Sequence, residues 1–204
     1  MKGEEILSRK EFQKCADFHG HICPGLSTGY LAAKIGLDWL HENRAEDEEV
    51  VAIVENNACG VDAIQVLTGC TFGKGNLIHK DHGKPVYTFL ERRSGRGVRV
   101  AVKHGAFSMS ERHRELVKKV RDETATEEER EEFQKVHLQK SQDILGMPVE
   151  SLFTIEEVDV PLPPKAKVEP SVLCEHCGES TMASKMVRVE GKMICGDCMT
   201  KIRG

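Results

Sequence analysis

Two histidines and a cysteine alternate in the segment F-H-G-H-I-C-P-G at residues 18–25. Side chains two positions apart on an extended backbone point to the same side. His19, His21 and Cys23 are therefore expected to converge on one borderline-soft metal ion such as zinc. The alternative is a loop with two surface histidines and one buried cysteine.

A second candidate position is Cys59, which follows a predicted buried strand and precedes a predicted helix. Cys23 also precedes a helix, and a helix N-terminus lowers the pKa of a thiol. If the two turns meet, both cysteines and one or both histidines form a zinc site with an open position, as in catalytic zinc sites. We assign Cys23, Cys59 and Asp62 as candidate catalytic residues. Asp62 would orient a ligand, act as an acid or base, or merely suit the helix dipole.

Two C-x-x-C pairs lie near the C-terminus and are separated by 17 residues, the spacing of a four-thiolate structural zinc site. The four predicted ligands are Cys174, Cys177, Cys195 and Cys198. His176 and Asp197 lie inside the two pairs, and either could replace a cysteine. A hairpin over 186–194 and a short final helix favour a treble-clef or ribbon-type zinc finger, which needs its metal to fold.

Composition limits the function classes. The chain has 204 residues, of which 30% are charged and 5% aromatic, and its net charge is −4. This acidic balance, together with the lack of a basic stripe in the zinc finger, argues against nucleic-acid binding. No apolar run is long enough for a membrane helix, and the N-terminal residues do not resemble a secretory signal. The eight cysteines, paired with histidines rather than arranged for disulfides, predict a cytoplasmic protein with metal-bound thiolates.

The predicted elements form one large domain and one small one. A first helix over 9–17 is expected after a capping box at Ser8 and Glu11. The other predicted elements are a helix from Pro24, a strand over 50–54, a helix ending at Gly69, strands over 76–79, 85–91 and 97–103, helices beginning at Ser108 and Thr126, and a strand over 153–160. The predicted boundaries are 1–160 for the core domain, 161–170 for a Pro-rich linker and 171–204 for the zinc finger.

Two motifs together carry a family resemblance. F-H-G-H-I-C-P-G-L-S-T-G at 18–29 and C-G-V-D-A-I-Q-V-L-T-G-C-T-F-G-K-G-N-L at 59–77 closely resemble the FmdE family of formylmethanofuran dehydrogenase proteins. The resemblance covers roughly residues 10–155, and an added C-terminal zinc finger is a variant of that family. It implies an α+β core, with a mixed β-sheet flanked by helices in a thioredoxin-like arrangement, and a homodimer. It also implies a metal site at His19, His21, Cys23 and Cys59.

The family name comes from association with a molybdenum or tungsten enzyme that fixes carbon dioxide onto methanofuran as a formyl group. This chain has no recognisable molybdopterin motif and no ferredoxin-type C-x-x-C-x-x-C run, so it is not a complete redox enzyme alone. We therefore expect a zinc-binding accessory subunit of a larger complex, or a metal-dependent enzyme. The alternatives are a protein that delivers metal to a molybdenum or tungsten enzyme, and a zinc-stabilised adaptor that docks a partner protein.

Overall fold

The structure is a computed structural model that describes residues 2–203, with no side-chain description for Arg203. Residues 1 and 204, which bound the predicted domains, lie outside the described residues. The chain divides into two compact units, residues 1–165 and 166–204. In the described part of the chain, no helix is long and apolar enough to cross a membrane.

The first unit combines helices and strands, several of which follow one another in runs of the same type. Its elements are α1 (Gly3–Leu7), α2 (Lys10–His19), α3 (Pro24–Leu40), β1 (Val50–Val54), α4 (Gly60–Thr68), β2 (Leu77–His79), β3 (Val86–Glu91), β4 (Gly97–Val102), α5 (Glu111–Arg121), α6 (Glu127–Gly146), α7 (Val149–Leu152) and β5 (Phe153–Val158).

The strands form one mixed sheet in the order β2-β1-β3-β4-β5. Strand β1 pairs parallel to β2 and antiparallel to β3, with Ala52 opposite both Leu77 and Phe89. All five residues of β1 are buried, as its continuous β-branched sequence predicts for a strand covered on both faces. The predicted α+β class with a mixed sheet and flanking helices is confirmed.

The two faces of the sheet are covered differently. The helices pack on the face that carries Val50, Ala52 and Phe89 and form the main hydrophobic core there. Residues 158–162 cross the other face and pack over Val51. Nη1 of the nearly buried Arg92 donates to the carbonyl oxygen of Pro163 (2.6 Å), and its Nε donates to that of Glu48 (2.9 Å). These bonds hold the crossing segment at the end of the sheet.

Helix caps explain where several helices begin. Thr126 and Glu129 form the predicted capping box of α6, and Ser110, rather than Ser108, caps α5. The predicted capping box at Ser8 is wrong. The hydroxyl of Ser8 donates to the carbonyl oxygen of Glu5, and Ser8 closes the short helix α1, which the sequence did not suggest.

The second unit is a small ribbon of two hairpins and a helix. Its elements are β6 (Ser171–Leu173), β7 (Ser180–Met182), a short 3-10 turn (Ala183–Lys185), β8 (Met186–Val189), β9 (Lys192–Cys195) and α8 (Gly196–Arg203). The turn between β8 and β9 lies at Glu190 and Gly191, where both residues have positive φ, as the sequence predicts.

Candidate metal centres

The predicted ligands of the first motif come together, but not on an extended strand. His19 is the last residue of α2, and Gly20 follows in the left-handed conformation (φ +88°). The chain then reverses, and Cys23 becomes the N-cap of α3 with an extended backbone. The extended geometry predicted from the alternation is therefore wrong. The turn nevertheless brings donor atoms of His19, His21 and Cys23 within 4.8 Å of one another.

The spacing of these donors suits a tetrahedral metal ion. Nε2 of His19 lies 3.7 Å from Sγ of Cys23. A nitrogen and a sulfur at standard zinc distances in a tetrahedron are about 3.6 Å apart. The ring of His21 lies beside that of His19, with 4.4 Å between centroids. His21 is exposed and Cys23 is buried, so one side of the group is open to solvent.

Asp62 lies against the imidazole of His19. Its Oδ2 lies 2.7 Å from Nδ1 of His19, and its Oδ1 accepts a hydrogen bond from Nε2 of Gln65 (3.2 Å). In the tautomer that donates from Nδ1 to this carboxylate, the lone pair of His19 Nε2 faces Cys23. Zinc-bound imidazoles usually donate their other ring N–H to a carboxylate or carbonyl in this way. The structure thus places Asp62 against His19, one of the predicted ligands.

Glycines bring the second motif to the first. A β-carbon on Gly29 of α3 would overlap the carbonyl oxygen and Cα of Gly60, so the two helices touch through their backbones. A β-carbon on Gly25 would lie 3.7 Å from Sγ of Cys59 and 3.9 Å from Sγ of Cys23. Both sulfurs therefore flank one glycine, although Cys59 is not among the three donors that lie within 4.8 Å of one another. The sequence signal for this contact is the spacing Gly25-x-x-x-Gly29, which permits close helix approach.

The electrostatics of the thiol differ from the sequence expectation. Burial raises the pKa of Cys23 to about 11, and the neighbouring Cys59 thiol contributes to this increase. The backbone N–H of Leu26 donates to Sγ of Cys23 (3.3 Å) and lowers the pKa, as a helix N-terminus should, but burial outweighs it. Although His21 is largely exposed, partial desolvation of its ring and then the charge of His19 lower its pKa, which favours the neutral imidazole that binds metals.

A buried histidine pair was not expected from the sequence. Nε2 of His113 on α5 lies 2.9 Å from Nδ1 of His137 on α6, and the side chain of His113 is almost fully buried. Burial, followed by the charges of His113 and His21, lowers the pKa of His137 to about 4. The two histidines are 24 positions apart, so no local spacing points to their contact.

The second unit contains the four predicted thiols in one cluster. The sulfur atoms of Cys174, Cys177, Cys195 and Cys198 all lie within 4.8 Å of one another. Cys177 and Cys195 are 3.9 Å apart, against about 3.8 Å for two sulfurs on a tetrahedral zinc ion. The N–H groups of Cys177 and Cys195 lower the pKa of the Cys174 thiol to about 6, which favours its thiolate. The cluster can hold a metal such as zinc.

The two alternative ligands lie outside this cluster. Asp197 is exposed and forms an ion pair with Lys201 (2.7 Å). His176 is also exposed. Neither residue belongs to the group of converging donors, which consists of the four cysteines.

The fold and these donor clusters define an α+β metal-binding protein with an appended four-cysteine ribbon. Residues 18–154 match the family model described as FmdE, Molybdenum formylmethanofuran dehydrogenase operon. The match covers more than half of the chain, so the protein belongs to the FmdE family, as its two motifs predict.

Two similar proteins extend this comparison. A protein of Archaeoglobus fulgidus named "Probable S-adenosyl-L-methionine-binding protein" is 34% identical over 181 residues, which cover 85% of this chain and 49% of the relative. The chain thus spans about half the length of that relative. The crystal structure of a tungsten formylmethanofuran dehydrogenase FmdE-like protein from Syntrophus aciditrophicus matches with a TM-score of 0.56 and 23% identity, over 98% of this chain and 92% of that chain. At this identity the likeness concerns the fold.

Proposed function

We propose that the first unit binds a metal ion, preferably zinc, through His19, His21, Cys23 and Cys59. The observation that carries this proposal is the 3.7 Å separation of His19 Nε2 and Cys23 Sγ, with the other imidazole nitrogen held by Asp62. Imidazole and thiolate donors suit zinc, and the residues present fit such an ion. The four cysteines of the second unit would hold a structural zinc ion, so the protein would carry two ions per chain.

Asp62, Cys23 and His21 have separate roles in this proposal. Asp62 accepts the Nδ1 proton of His19 and keeps Nε2 free for the metal. Cys23 must lose its proton on binding, because its buried thiol is protonated at neutral pH. The exposed side at His21 leaves room for a further ligand. A bound zinc ion would supply Lewis-acid chemistry to a small anionic or carbonyl compound there.

The protein would then act as a metal-dependent enzyme or as a metal-bearing accessory subunit of a formylmethanofuran dehydrogenase-type enzyme. Family membership supports this proposal, since the family description refers to the operon of that dehydrogenase. We further propose a cytoplasmic homodimer that joins a larger complex. Binding of S-adenosyl-L-methionine, stated in the name of the Archaeoglobus relative, is a separate property to test, because half of that protein lies outside the match.

Metal delivery to a molybdenum or tungsten enzyme is the second candidate function. The exposure of His21 favours it, because an open ligand shell lets an incoming protein exchange the metal. A core ion that leaves within seconds in the presence of a chelator would support delivery. A slowly exchanging ion would support the enzyme or accessory-subunit function.

The first experiment is metal analysis by mass spectrometry of the wild type and of Cys23→Ser and Cys59→Ser. We expect two zinc ions per chain in the wild type and about one in each variant. Cys15→Ser is the matched control, since Cys15 is fully buried and its thiol donates to the carbonyl oxygen of Glu11, as a serine can. One ion in all four proteins would refute the core site and leave a zinc-stabilised adaptor as the remaining function.

A further inference from the structure

A groove of about 550 Å³ runs beside the core site, between α2, the C-terminal part of α3, and α4. Phe18, Lys14, Asp38, Arg44 and Gln65 are among its lining residues. Two of these belong to the immediate surroundings of the metal ligands. Phe18, which is 59% exposed, directly precedes His19, and Gln65 lies one helical turn after Asp62. None of the candidate ligands lines the groove, and Gln65 is the lining residue that bonds to Asp62.

Gln65 is the residue that connects them through hydrogen bonds. Its Nε2 donates to Oδ1 of Asp62 (3.2 Å), and Oδ2 of the same carboxylate holds Nδ1 of His19 (2.7 Å). A carboxylate bonded through both oxygens cannot rotate freely about its terminal bond. The orientation of the His19 ring, and with it the direction of Nε2 towards Cys23, depends on that fixed carboxylate.

We propose that Gln65 is a positioning residue of the core metal site, and that it makes the adjoining groove part of that site. The proposal rests on the proposed function, because positioning matters only where His19 binds a ligand. Gln65 touches neither the metal nor its ligands directly. It acts through Asp62, and a molecule in the groove that hydrogen-bonds to the Gln65 amide would change the affinity of the core metal by the same route.

The test compares Gln65→Ala and Gln65→Glu with the same two substitutions at Gln139. Gln65→Glu keeps the shape of the side chain but removes the donor and faces Asp62 with a like charge. Gln139 is the control, because its Nε2 donates to Oδ1 of Asp143 on α6 (2.9 Å) in the same kind of surface pair. Zinc affinity of the core site is measured by competition with a chromophoric chelator.

We expect both Gln65 variants to bind core zinc about tenfold more weakly. This is the lower end of the loss of about 10–100-fold that follows removal of a direct partner of a ligand, because Gln65 acts one bond further out, through Asp62. The Gln139→Ala and Gln139→Glu variants should match the wild type. Equal affinity in the Gln65 variants and the wild type would overturn the proposal while leaving the core site intact. A weakening in Gln65→Ala alone would also overturn it, because it would indicate lost packing rather than a lost donor.

A second readout needs no metal. Nitrogen NMR of the metal-free protein reports which ring nitrogen of His19 carries the proton. We expect the Nδ1–H form in the wild type and a mixture of both forms in the two Gln65 variants. An unchanged ring in these variants would refute the positioning role even if the wild type bound no core metal, so failure of the proposed function and failure of this inference remain distinguishable.

Discussion

Replacing Gly29 by alanine should separate the two halves of the core site. The new β-carbon would overlap backbone atoms of Gly60. Side-chain rotation moves neither a β-carbon nor a backbone atom, so it cannot relieve this clash. Helices α3 and α4 would have to move apart by roughly 1 Å to reach normal carbon–oxygen contact. Metal-site geometry tolerates shifts of only about 0.2 Å, so we expect Cys59 to be lost as a ligand.

The expected loss of stability follows from two opposing effects. Overpacking in a well-packed core costs about 1–3 kcal/mol, and backbone contact puts Gly29→Ala at the upper end. Alanine recovers about 1 kcal/mol through its higher helix propensity. The net loss of about 2 kcal/mol corresponds to a melting temperature about 4–8 °C lower for a unit of this size.

Thermal unfolding and zinc content of the same samples test this prediction. Gly25→Ala should have a smaller effect, because its β-carbon would lie 3.0 Å from that of Cys59 and a small movement relieves the contact. Gly73→Ala is the control, since nothing lies within 4 Å of its β-carbon position. If Gly29→Ala melts like Gly73→Ala and keeps its second zinc ion, the glycine contact does not place Cys59 and the reasoning fails.

Three other perturbations have distinct expected results. Asp62→Asn should weaken core zinc binding about 10–100-fold in a chelator competition, because the amide no longer accepts the imidazole proton as a carboxylate does. Burial, followed by the charges of His113 and His21, lowers the pKa of His137 from its ordinary value of 6.5 to about 4. The unfolded chain therefore takes up this proton first, and stability is full above about pH 6.5 and is lost as the pH falls towards 4. The wild type should lose up to about 2 kcal/mol of unfolding free energy between about pH 7 and 4.5, and His137→Gln should lose less in denaturant titrations. Cys177→Ser should remove one zinc ion and unfold the second unit while the first unit melts unchanged, as seen by limited proteolysis and thermal unfolding.

Elements with strong local signals were predicted well from the sequence. The run of β-branched residues in β1, the proline that opens α3 and the capping box of α6 each determine structure through neighbours within a few positions. Where such signals compete, the prediction failed. Ser8 and Glu11 match a capping box, but Ser8 is used to end α1, so α2 begins at Lys10 without a side-chain cap.

The geometry of the core site was predicted less well, because it depends on packing between distant segments. The residues were identified from their chemistry, but His19 belongs to helix α2, whose predicted end at residue 17 falls short of the observed one. The pKa of Cys23 depends on burial, which the sequence around the N-cap does not reveal. The contact of Gly29 with Gly60 is likewise visible only once the helices have packed.

The two groups of candidate metal ligands therefore differ in whether their unit needs the metal to fold. The buried cluster of the ribbon consists of three cysteines and Ile194. This apolar core is too small to fold alone, so we expect a bound metal ion to supply most of the stability of the ribbon. Cys23 and Cys59 lie far apart in the sequence and are brought together by a large core made mostly of apolar side chains, which needs no metal for its own packing. The proposed core ligands are thus preorganised, and we expect an ion there to enter and leave without unfolding the chain. On the proposed function, this difference favours the core site over the ribbon as the place where metal chemistry or metal exchange would occur.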